Sequence, residues 1–135
     1  MPTITINLTD KVVPKKNSKT ARIGRRSGRA YLHRAQAAIS SEEALHWSAV
    51  EIFGKTSWKT PTAKPVSVTM VFPYHPQADG VGLAETVLDA LQGVAYLNDK
   101  QAKETHITML PKVPKHMADP FEGISCRVTI SEIEW

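Results

Sequence analysis

The stretch ADGVGLAETVLDALQGVAYLNDKQAKET, Ala78 to Thr105, decides how this chain is read. Leu83, Val87, Leu88 and Leu91 recur at the spacing of one helical face, Asp79 stands where an N-cap belongs, and Gly93 is placed to stop the helix. One carboxylate, Asp79, therefore precedes a helix and another, Asp99, follows it. The expectation is that the two face each other across one edge of the fold. Paired carboxylates without cysteine or clustered histidine suit a hard, oxygen-preferring ion such as Mg²⁺ or Mn²⁺. That chemistry serves phosphodiester cleavage.

Outward from this stretch, the charge is unevenly spread. From Lys11 to Ser41 there are nine basic residues (Lys11, Lys15, Lys16, Lys19, Arg22, Arg25, Arg26, Arg29 and Arg34) and no acidic one, whereas the whole chain carries a net charge of +4. Such a run repels itself when unpartnered and matches a phosphate backbone, where each neutralised phosphate releases counterions. The competing reading is a solvated basic arm with no specific partner. Pro14, Asn17, Ser18, Gly24, Ser27 and Gly28 break any periodicity there, so a basic loop is expected at about 11–36. Tyr31 and His33 close it, the tyrosine either stacking on an exposed base or packing onto the core.

Alternation marks a first strand at TITINL, residues 3 to 8, and a second at VSVTMVF, Val66 to Phe72, stopped by Pro73. Ser40 and Ser41 ahead of Glu42 and Glu43 carry a capping-box signature and are expected to open a first helix that runs to about Phe53. Its apolar stripe is Leu45, Ala49, Ile52 and Phe53, widened by Trp47 and Val50. Further strands are expected at Thr105 to Leu110 and Ile124 to Ile133. Trp58, in the loop after the first helix, reads as a lid on the core, the commoner case, or as a DNA-facing ring, and His75 as polar surface or a secondary ligand near Asp79. The fold expected is α+β: a single domain over 1–135, with a small mixed sheet of about four strands and two main helices packed on one face.

The length, 135 residues, suits one domain, and the lone Cys126 excludes an internal disulfide. In the strand-like run ISCRVTI it reads as a buried thiol. No apolar run approaches membrane-spanning length, and MPTITINL lacks the marks of a signal peptide, so a cytoplasmic location is the expectation.

The order of these features resembles the RusA-type family of Holliday junction endonucleases: PKKNSK in a basic segment, a strand, an Asp-led loop, LAETVLDALQGVAYLNDKQ, and a closing strand. The family pattern runs Asp-x-Asp-Asn, a helix with an early Lys and a late Asp-Ala-Leu, then an acidic pair followed by a Gln. Asp79 stands at the first Asp, Asp89-Ala90-Leu91 at the helix motif, Asp99 at the second acid of the pair, and Gln101 nearby. The second loop Asp falls on Val81, the Asn on Gly82, the Lys on Glu85 and the first acid of the pair on Asn98.

The resemblance implies a metal-dependent, structure-specific endonuclease that binds branched DNA, a four-way junction, and hydrolyses phosphodiester bonds in recombination and repair. It implies Mg²⁺ (or Mn²⁺) at Asp79 and Asp99, with Glu85 a third catalytic candidate in place of a missing acid. DNA would be bound by Lys15, Lys16, Lys19, Arg22, Arg25, Arg26, Arg29 and Arg34, and a homodimer would offer two equivalent sites. The alternative is a catalytically impaired junction-binding protein on the same fold, favoured by Val81, Gly82 and Glu85. A basic RNA-binding protein would account for the cations but not for the carboxylates.

Overall fold

In the computed structural model, Val66, Val68, Met70 and Phe72 alternate with half-buried neighbours, and all four are shut off from solvent. This is the period of a strand with one face on a core. It forms the interior of the sheet. The structure describes residues 2–14, 28–76 and 79–135, and for 28–35 the backbone alone. The elements are β1 (Thr3–Leu8), α1 (Gly28–Gly54), β2 (Val66–Phe72), α2 (Gly80–Ala90), a single 3₁₀ turn (Asp99–Gln101), β3 (Ala102–Met109) and β4 (Cys126–Glu132). They build a four-stranded sheet in the order β1-β4-β2-β3. β4 runs antiparallel to both β1 and β2, while β2 and β3 are parallel. The sheet is thus mixed, with two helices, as expected.

The parallel pair needs a crossover, and α2 supplies it. The chain leaves β2 at Phe72, returns along α2, and enters β3 at Ala102 beside Val66. Both helices cover the face carrying Val66, Val68, Met70, Phe72, Cys126, Val128 and Ile130, with Leu45, Ala49, Phe53, Leu83, Val87 and Leu91 opposite them in one core. The other face is polar. There Thr3 bonds Ser131 at 2.8 Å, Thr5 bonds Thr129 at 2.9 Å, and Arg127 donates to Asn7 at 2.9 Å. Trp58 is a lid on the core, buried with its indole N–H donating to the Ala95 carbonyl at 2.9 Å.

Several element boundaries differ from the expectation. α1 starts at Gly28 rather than near Ser40, so the C-terminal part of the expected basic loop, from Gly28 on, is helical, Tyr31 and His33 included. Arg, Ala, Leu and Gln, which dominate 29–38, are good helix formers, and no proline interrupts them. Ser41 lies inside that helix and caps nothing. Its buried hydroxyl donates to the Lys11 carbonyl at 2.6 Å and accepts from the Val13 N–H at 3.0 Å. The buried Thr86 of α2 donates to the Val13 carbonyl at 2.6 Å. Trp47 and Val50 do not widen the core stripe of α1; they are 68% and 41% exposed, because the buried line runs Ala38, Ser41, Leu45, Ala49, Phe53. β3 begins at Ala102, earlier than Thr105, and β4 at Cys126, later than Ile124. No helix among the described residues is long and apolar enough to cross a membrane.

Candidate functional site

Asp79 is the N-cap of α2. Its backbone is extended and its carboxylate accepts the Val81 N–H at 2.8 Å. A carboxylate is favoured there, since it satisfies an orphan amide and meets the positive end of the helix dipole. The helix starts very close to β3: a Cβ on Gly80 would lie 3.2 Å from the Ile107 side chain and 3.3 Å from that of Met109. Asp79 therefore stands at the C-terminal end of β3.

Asp99 stands at the other end. It opens the 3₁₀ turn that leads into Ala102, and it is exposed. Asn98, not Asp99, is the cap of that turn: its side chain accepts the Lys100 N–H at 2.9 Å, while the Gln101 side chain accepts the Asn98 N–H at 2.8 Å. Gln101 does more. The same amide oxygen accepts the Leu97 N–H at 2.9 Å, and its amide nitrogen donates to the carbonyls of Thr62 and Lys64 at 2.8 and 2.9 Å. One side chain thus staples the turn to the loop before β2. The Asp99 N–H is held in turn by the Gln92 side chain at 3.1 Å.

The expected facing of Asp79 and Asp99 within one chain is not what the fold produces. A crossover helix of 11 residues separates them along its axis by about 16 Å at 1.5 Å per residue. The eight residues of β3 separate its two ends by roughly 25 Å. Asp99 and Asp89, the latter near the C-terminus of α2, each act on Tyr96. Tyr96 is fully buried, with its hydroxyl donating to the Leu88 carbonyl at 2.5 Å. Burial holds the Tyr96 phenol well above its ordinary range, and the Asp99 and Asp89 carboxylates add to this. His46 of α1 meets the same helix end, with Nδ1 2.8 Å from the Ala90 carbonyl. Glu85 is half-buried midway along α2, distant from both ends.

A Mg²⁺ or Mn²⁺ ion would act as a Lewis acid and lower the pKa of a bound water. Among the described residues no three His, Cys, Asp or Glu side chains lie together in a set fit to hold one. Among the described residues, Asp79 and Asp99 stand at opposite ends of α2. Of the expected DNA-binding residues, Lys15, Lys16, Lys19, Arg22, Arg25 and Arg26 lie outside the described residues, and Arg29 and Arg34 are on the first turns of α1 by their backbone. Cys126 is buried in β4 and its thiol is pushed up to about 12 by burial, so it is protonated and inert at neutral pH. The chain matches no protein-family model and no curated protein.

Proposed function

We propose that this protein is a structure-specific endonuclease of the Holliday junction resolvase type, a cytoplasmic homodimer that binds branched DNA through its basic segment. The observation that carries the reading is the run of nine cations and no acid between Lys11 and Ser41, inserted between β1 and the body of α1. Its entry is fixed, since the Ser41 and Thr86 hydroxyls hold Lys11 and Val13, and its exit is the start of a helix anchored in the core. A cationic segment whose flanking residues are fixed suits a phosphate surface of defined shape, where positioning contacts come from the backbone of the nucleic acid. Asp79 and Asp99 are the acids the resemblance selects.

A second reading, a junction-binding protein with impaired cleavage, is favoured by the same geometry. Val81 cannot ligate a cation, Glu85 puts a negative charge where a phosphate-facing Lys would stand, and the two aspartates are separated within one chain.

Binding and cleavage of a four-way junction and a linear duplex of the same sequence, measured across a salt series with Mg²⁺ or Mn²⁺, test both readings. Tighter binding of the junction is expected. Replacing Lys15, Lys16, Arg25 and Arg26 by Ala lowers the slope of log affinity against log salt by about 0.9 for each phosphate no longer neutralised. Asp99→Asn abolishes cleavage and leaves junction affinity unchanged or raised. Equal affinity for junction and duplex would remove the structure-specific reading, and an unchanged salt slope would remove the basic segment from the interface.

A further inference from the structure

We propose that a cavity at the entry of the basic segment receives a single unstacked nucleobase of branched DNA, with Tyr74 as its stacking ring. This rests on the reading above for the nucleic acid, and adds to it the place where a base, rather than a phosphate, is held. The cavity has a volume of about 160 Å³ and lies where three parts of the chain meet: Lys11 and Val12 after β1, the stretch from Phe72 to His75 that leaves β2, and Leu83 of α2. Ser125, just before β4, completes it. Four residues on from His75 the chain reaches Asp79, so a base held here is anchored at the end of the fold where that carboxylate stands.

Size and walls select the ligand. Pockets for drug-sized molecules run to roughly 300–1,000 Å³, so this one takes a single ring system. Val12, Phe72 and Leu83 are buried and apolar, and a phosphate or a charged side chain set against them would lose its hydration with nothing in exchange. A nucleotide joins an apolar ring to an anion, and the site offers a wall for each. Lys11, exposed beside the cavity, is the first of the nine cations of the basic segment, and its carbonyl is held by the Ser41 hydroxyl at 2.6 Å.

Tyr74 is placed for contact and not for folding. It is 49% exposed, whereas Phe72 of the same stretch is 1% exposed. Pro73 and Tyr74 also line a second cavity, of about 240 Å³, with the exposed Lys112 beside it. Asp119 lines that cavity too, with its carboxylate accepting the Phe121 N–H at 2.8 Å. The tyrosine is thus reached from two sides, each with a lysine at hand. This suits a strand whose bases meet an aromatic ring while its phosphates meet cations. A branch point interrupts stacking, so a base beside it leaves its neighbours at lower cost than one inside a duplex.

Tyr74→Ala is expected to weaken binding of a four-way junction by roughly tenfold without changing the slope of log affinity against log salt, since a stacked ring releases no counterions. Tyr74→Phe, which keeps the ring, should bind as the unchanged protein does, and a linear duplex, whose bases stay paired, should be bound equally by all three. Tyr74→Ala should also unfold at the same denaturant concentration, so that lost affinity reads the site and not the fold. A set of junctions, each lacking one base at a successive position around the crossover, then finds the base: one abasic position should cost the unchanged protein the same factor and cost Tyr74→Ala nothing. Full junction affinity in Tyr74→Ala, or abasic positions that all cost both proteins alike, would overturn the base site, give the cavity to another occupant such as an apolar side chain of a protein partner, and leave the junction reading standing. Preference for single-stranded DNA over the junction, with one base singled out by the same abasic comparison on that strand, would keep the base site and remove the junction reading. Binding to neither would remove both.

Discussion

The two ends of α2 use their acidic residues in opposite ways. At the start, Asp79 is itself the cap: its carboxylate is bonded to the Val81 amide and is part of what begins the helix. Beyond the other end, Asn98 and Gln101 do the capping and Asp99 is carried on the turn they make, exposed and without a part in the cap. Asp79 is thus tied directly to the stability of α2, while the Asp99 side chain has no part in the cap. A substitution at the first position removes a cap. At the second it leaves the cap in place.

The largest effect expected is at the residue that builds the Asp99 turn. Gln101→Ala removes four side-chain hydrogen bonds at once, to Leu97, Asn98, Thr62 and Lys64. A loss of about 2–4 kcal/mol in unfolding free energy is expected, measured by denaturant titration, since several of these groups keep partial access to water. A loss below about 0.5 kcal/mol would mean that the turn is held by something other than this amide.

Tyr96 sharpens the same end. Tyr96→Phe keeps the ring and deletes the bond to Leu88, at an expected cost of about 1–2 kcal/mol near neutral pH. The phenol is raised in the folded chain above its ordinary value of 10.0, so its contribution is complete below pH 10 and is lost as pH rises beyond it. The buried Cys126 thiol acts in the same direction from pH 9 upward. Stability should therefore fall in alkali, and the Phe variant should fall less steeply. Equal slopes for the two proteins would exclude Tyr96 as a source.

At the other end, Asp79→Ala should cost about 1 kcal/mol and Asp79→Asn close to nothing, because an asparagine caps as well as an aspartate. Cleavage or binding lost in the Asn variant is then a charge effect, free of the folding term. Equal stabilities for the Ala and Asn variants would break the contrast between the two ends.

The smallest effect expected is a gain. Val81 is 56% exposed in the first turn of α2, so Val81→Asp places a carboxylate near the helix N-terminus in water, worth about 0.3–1 kcal/mol of stabilisation. A marked destabilisation would show that the exposed valine has a packing role.

Much of this arrangement is legible in the residues. The alternation of Val66 to Phe72 and the helical spacing from Leu83 to Leu91 mark their elements directly, because burial on one face writes its period into the chain. The start of α1 is not legible, since Ser40 and Ser41 look like a cap while Ser41 in fact clips Lys11 and Val13 from within the helix. β3 is longer than its pattern suggests because an exposed edge strand carries no apolar alternation at Lys103 and Glu104. The spacing of Asp79 and Asp99 places them correctly before and after the helix. What it hides is direction: a parallel crossover takes the chain from one end of the sheet to the other, so residues that flank its helix end up far apart.

The clip formed by Ser41 and Thr86 has a further consequence, for entropy. A cationic tail anchored once must surrender most of its freedom when it settles on a phosphate surface, and that loss subtracts from affinity. Here the chain is pinned at Val13 by two buried hydroxyls and rejoins the body in a helix that begins at Gly28. Folding thus fixes Val13 and Gly28 relative to each other, and a ligand of the segment joining them would not have to bring those two points together. On the proposed reading, these two hydroxyls therefore bear on how tightly the cations hold a phosphate surface.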